Sequence, residues 1–224
     1  MSPASSRQQH AHQDKWFGSE GCCSLCNTPN ATLQHILSGC EIALSQGCYR
    51  WRHNRVLRKL AEVLEGCRQR SKESPPAENH NHINFVTESW GKDVRPGKIP
   101  KPFSPDQEWD MRVDLDRQLH VPVEITTTSF RPDIVVGLTK AKSVLLIELK
   151  IPAEEGIEAA YERKKAKYSE LAAECQEAGW KATIYPVEVG CRGYEGLSTT
   201  RLLRDVGVTG GNLKKATKEL AEEA

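Results

Sequence analysis

Residues 143–189 restrict the fold more tightly than any other stretch. They read as an apolar run, a long amphipathic segment and a second apolar run. The first run, Ser143-Val-Leu-Leu-Ile-Glu-Leu, is rich in β-formers and bounded by a turn region at 137–142 and by Pro152, which predicts a central strand. After Pro152, Ile157, Tyr161, Tyr168, Leu171 and Cys175 recur on one helical stripe. The stretch opens with acids and stops at Gly179, as an amphipathic helix does. Residues 181–189 then supply another strand, which a right-handed crossover sets parallel to the first. Upstream, 131–137 suits a strand paired with 143–149, and 121–127 alternates well enough for a further one. Short helices are expected at 198–205 and 212–223. The class is α/β, a sandwich around a mixed central sheet.

Chemistry gathers at the end of the central strand. Side chains alternate along a strand, so Glu148 and Lys150 share a face while Ile147 and Leu149 enter the opposite layer. Pairing with 131–137 brings Asp133 alongside. Two carboxylates and an ammonium at one sheet edge are what an oxygen-seeking Mg²⁺ and in-line attack on a phosphodiester need. Pro-Asp also occurs at Pro105-Asp106, and Glu-x-Lys at Glu162-Arg163-Lys164, but only Asp133 and Glu148 lie on consecutive expected strands. The plainer alternative is a solvated ion pair at a sheet edge. Lys164 stands seven after Ile157 and four before Tyr168, on the buried stripe. Either it snorkels outward or it reaches over the sheet edge towards the same site.

The N-terminal third carries metal-ligand spacing. Cys23, Cys26, His35 and Cys40 offer three thiols and an imidazole that a structural zinc knuckle can close into a tetrahedron, with Cys22 as a substitute for Cys23. Four protein ligands leave no open position, which argues against a zinc hydrolase. Residues 1–16 lack the apolar core of a signal peptide, so a reducing, intracellular setting is expected rather than disulfides. Directly after the knuckle, Arg50, Arg52, Arg55, Arg58 and Lys59 interleave with Tyr49 and Trp51 without an acid between them. Such a helix attracts the phosphate backbone, or else simply faces solvent.

With a formal net charge of +1 over 224 residues, any nucleic-acid surface must be local. No run is long and apolar enough to span a membrane. Polar residues at 69–84 and proline-rich, basic residues at 91–105 divide the chain. The expected organisation is a disordered 1–20, a knuckle and basic helix over 21–67, a linker over 68–105 and the α/β domain over 106–224.

Knuckle, basic helix, Arg131-Pro132-Asp133, Glu148, and Lys164 with Tyr168 together resemble the C-terminal end of site-specific non-LTR retrotransposon proteins, which carry a restriction-like endonuclease. The resemblance runs from Cys22 to the C-terminus. It implies a restriction-endonuclease-like fold and a nicking activity on DNA, in the nucleus, that exposes a 3′ hydroxyl for reverse transcription. It also implies Asp133 and Glu148 as Mg²⁺ ligands, Lys164 as a candidate catalytic lysine, Arg131 and the basic helix as nucleic-acid contacts, and DNA, with RNA as an alternative, as partner. Association with a reverse transcriptase or self-association would follow. The chain departs from the family in lacking the reverse transcriptase, and in placing Lys150 where many relatives have threonine. Lys150 is then either the Glu-x-Lys lysine of restriction-type nucleases or a neutral variation. The alternative function is a domesticated or inactive nucleic-acid-binding protein that keeps the fold.

Overall fold

A computed structural model of the chain describes residues 21–73, 108–116 and 118–224. The expected disordered stretch 1–20 and most of the expected linker lie outside the described residues. Four strands form one sheet in chain order: β1 (Asp110–Val113), β2 (Ile134–Leu138), β3 (Ser143–Lys150) and β4 (Lys181–Glu188). The helices are α1 (Glu41–Ser45), α2 (Cys48–Glu73), α3 (Ile157–Glu177), α4 (Leu197–Asp205) and α5 (Gly210–Glu223). β1 and β2 pair antiparallel, as do β2 and β3, whereas β3 and β4 run parallel through the α3 crossover. The protein is thus mixed α/β with a mixed sheet. Among the described residues no helix is long and apolar enough to cross a membrane.

Strand alternation sorts the core into two layers. Leu145, Ile147 and Leu149 of β3 pack with Ile134 and Val136 of β2 and with helices α2, α4 and α5. Val144 and Leu146 face the other way, onto Tyr168, Leu171 and Cys175 of α3. α3 ends where the sequence says: Gly179 takes a left-handed φ of 79° and the Trp180 N–H reaches back to Cys175 O at 2.8 Å. A side chain there would strain the backbone.

Two expectations about the elements need correction. Residues 121–127 are not a strand. Pro122 O accepts the N–H of Ile125 at 2.8 Å, closing a turn, so Val121 and Ile125 are buried while Val123, between them, is 81 % exposed. The true outer strand is β1, flagged by Trp109, Met111, Val113 and Leu115, which alternate with polar residues and pack onto the larger core.

The second correction concerns the domain boundary at residue 67. α2 continues to Glu73, and its stripe of Val56, Leu57, Leu60, Leu64 and Cys67 lies inside the core of the sheet. The basic helix therefore belongs to the α/β body and not to a separate knuckle module. Leu60→Ala should accordingly destabilise the α/β body by about 2–5 kcal/mol, as loss of a fully buried leucine does. Urea unfolding followed at a sheet probe checks this; an unchanged midpoint would detach α2 from the core.

Candidate functional site

Asp133 lies immediately before β2. The β2–β3 ladder ends at the Ile134 and Ile147 pair, so Leu149 lies beyond it, and the Asp133 carboxylate takes the Leu149 N–H at 2.7 Å through Oδ2. Glu148 projects from the next strand on the α3 side and its side chain is 8 % exposed. An isolated carboxylate would not be stable at that depth. Lys164 compensates it: its Nζ contacts Glu148 Oε1. The Tyr168 hydroxyl lies 2.7 Å from Glu148 Oε2 and 3.1 Å from Arg131 O, sharing one proton between two acceptors. Burial and the Glu148 charge push the Tyr168 phenol far above its ordinary pKa, so it stays a donor.

Lys164 does not snorkel outward: its side chain is 16 % exposed and pairs with Glu148. Lys150 is held differently. Burial first, and then the Lys164 ammonium, lower its pKa against the pull of Glu148 and Asp133. The two lysines are therefore unequal. Lys164 is the counter-ion of Glu148, whereas Lys150 is the lysine whose ammonium burial disfavours.

A residue that sequence reasoning passed over also enters here. His53 sits on α2 with its Nε2 3.5 Å from Asp133 Oδ2 and 3.4 Å from Leu149 O. Burial opposes its charged form, but the hydrogen bond and charge of Asp133 outweigh that and raise its pKa. The signal was present: His53, Leu57, Leu60 and Leu64 fall on one helical stripe, so His53 is a polar residue on an apolar face.

The knuckle residues converge as their spacing predicts. The ligand atoms of Cys23, Cys26, His35 and Cys40 all lie within 4.8 Å of one another. Cys26 Sγ is 3.1 Å from His35 Nε2, and Cys23 Sγ is 3.9 Å from Cys40 Sγ. Asn27 and Asn30 adopt left-handed φ angles of 57° and 51°, which let the chain turn tightly between the half-sites. The Thr28 hydroxyl, 3.0 Å from Cys26 Sγ, is the largest influence lowering that thiol to about 6, so the thiolate a metal needs is accessible at neutral pH. Three soft sulfurs and an imidazole at this range suit zinc.

The first turns of α2 grip this knuckle. The Tyr49 hydroxyl accepts the Cys40 N–H at 2.8 Å and donates to Ile36 O at 3.0 Å. Arg52 donates to Leu37 O at 2.5 Å. Arg55 pairs with Glu223 at 2.5 Å and stacks over Trp51, which is 62 % exposed. Lys59 pairs with Glu62, and Arg50 lies 3.9 Å from Asp116. Arg58 is exposed. Arg52 and Arg55, expected as phosphate contacts, are thus engaged inside the protein.

The knuckle, the start of α2 and the sheet edge enclose a cleft of about 940 Å³. Asp133, Glu148 and Lys150 line one side, Arg50 and Arg52 the other, and Arg131 and Lys167 add positive charge. Lys164 enters this group only through its contact with Glu148. Comparison with protein-family models and with curated proteins found no match to this chain.

Proposed function

We propose that the chain is a Mg²⁺-dependent DNA-nicking domain with a restriction-like core, coupled to a zinc knuckle that helps hold nucleic acid, as in the C-terminal part of site-specific non-LTR retrotransposon proteins. Such a role belongs in the nucleus. The observation that carries the reading is that Asp133, just before β2, and Glu148, on β3, line one cleft that also holds Lys150 and faces arginines of α2.

The donor set fits a hard divalent ion: two carboxylates, with water and substrate phosphate completing the shell, are a usual Mg²⁺ arrangement. Glu148 already accepts a cationic group at Oε1, so positive charge is favoured there. When bound, Mg²⁺ would polarise the phosphoryl oxygen and lower the pKa of a coordinated water. The residues of the chain do the rest. Lys150, which lines the same cleft, orients the attacking water or offsets developing charge. Lys164 and the Tyr168 hydroxyl hold the Glu148 carboxylate in place, and Arg50 and Arg131 draw the phosphate backbone into the cleft.

One observation favours a second reading. The pairing of Lys164 with Glu148 leaves that carboxylate neutralised without any metal, as a binding protein that had lost turnover would tolerate. Supercoiled plasmid incubated with the protein, in Mg²⁺ and in EDTA, separates the two. Nicking in Mg²⁺ alone supports the nuclease; retardation without nicks supports the binding protein. In the same assay Lys150→Ala should cost on the order of 10² to 10⁴ in rate, and Lys164→Ala less. The reverse order would make Lys164 the water-orienting lysine.

A further inference from the structure

The first two turns of α2 bind in two directions. Tyr49 and Arg52 hold the knuckle through Cys40 N–H, Ile36 O and Leu37 O. His53 turns instead to the sheet, where its Nε2 stands between Asp133 Oδ2 and Leu149 O. Leu149 N–H binds the same Oδ2 at 2.7 Å. The Leu149 N–H, at hydrogen-bond distance, and the His53 ring, at the longer ion-pair distance, therefore converge on one oxygen of Asp133 from different elements. The turn carrying His53 is itself anchored, because Asn54 Nδ2 donates to Leu115 O, just past β1, at 2.9 Å. Carboxylates that ligate metals commonly depend on such outer donors for their orientation.

We infer that His53, on α2, is a positioning residue for Asp133, fixing the carboxylate that faces the divalent cation. This rests on the proposed carboxylate metal site. A purely structural role would be a helix-to-sheet contact that any side chain of similar bulk could fill. The positioning role requires a donor aimed at Oδ2.

The test uses the full chain with zinc already in the knuckle, whose thiolates prefer zinc to manganese, and Mn²⁺ as probe, with free Mn²⁺ measured by electron paramagnetic resonance. Wild type should bind Mn²⁺ and Asp133→Ala should lose it. His53→Ala should bind about 10- to 100-fold more weakly, and His53→Gln, whose amide can still donate, should recover most of the affinity. Should the alanine variant lose its fold, His53→Leu keeps bulk without a donor and is expected to show the same weakening. Wild-type Mn²⁺ affinity in His53→Leu or His53→Ala, with Asp133→Ala still deficient, overturns the positioning role alone. Equal binding by wild type and Asp133→Ala, or none by wild type, removes the carboxylate metal site and this inference with it.

Discussion

Glu148→Ala should abolish nicking and destabilise the protein strongly, whereas Asp133→Ala should abolish nicking at a smaller cost in stability, about 1–3 kcal/mol, because the buried Leu149 N–H loses its acceptor. Two neighbouring carboxylates alone would suggest that removing either relieves repulsion. The ion pair changes that expectation for Glu148. Its side chain is 8 % exposed and that of Lys164 16 % exposed, so deleting the carboxylate strands a largely buried ammonium beside the Tyr168 ring. Breaking one side of a buried pair costs about 3–5 kcal/mol. Tyr168 keeps an acceptor in Arg131 O, so the charge, not the hydroxyl, accounts for most of the loss. The double variant Glu148→Gln with Lys164→Met removes both charges and leaves Tyr168 an oxygen acceptor. It should recover most of the stability while remaining inactive. Urea unfolding of Glu148→Gln, Lys164→Met and the double variant reads the coupling directly. If Glu148→Ala unfolds at the wild-type midpoint, the pair does not form in solution; if Asp133→Ala nicks normally, the nuclease reading fails.

Removing zinc should unfold the knuckle and spare the sheet. The core of the knuckle is small, with Cys23, Cys40 and Ala43 buried and Ala31, Ile36 and Tyr49 partly so. Two of the three buried residues, Cys23 and Cys40, belong to the Cys/His cluster that could hold the metal, so little apolar burial remains to offset the entropy of ordering the segment. Metal binding supplies the difference, about 10–16 kcal/mol for structural zinc sites of this kind. One zinc per chain is expected through Cys23, Cys26, His35 and Cys40. Cys40→Ser, or a strong chelator, should release it and strip hydrogen-exchange protection from residues 21–47. The larger core, which contains α2, should stay protected because its packing does not involve the ligands. Full zinc content in Cys40→Ser, or no zinc in wild type, would refute the assignment.

Much of this was legible locally. The apolar run of β3, the stripe of α3 ending at Gly179, β4, the two C-terminal helices and the knuckle are set by periodicity or by ligand spacing, which act over a few residues. Even the meeting of Lys164 with Glu148 had a local sign, a lysine on an apolar stripe. β1 escaped because four residues carrying Asp110 and Arg112 give little hydrophobic signal despite their alternation. Residues 121–127 misled for the opposite reason: Val121, Val123 and Ile125 alternate on paper, while Pro122 turns the chain.

The tertiary structure alone decided which surfaces those elements share. The amino-acid sequence determined that α2 has an apolar stripe and a basic face, but not that the stripe would enter the core of the sheet, nor that Arg52 would bind Leu37 O and Arg55 would bind Glu223, 168 residues away. It placed His53 on a buried face without saying that Asp133, 80 positions on, would be its neighbour. Local propensity and spacing depend on adjacent residues. Charge pairing and carboxylate orientation depend on which distant atoms are brought within a few ångströms, and that is settled only when both faces of the sheet are packed.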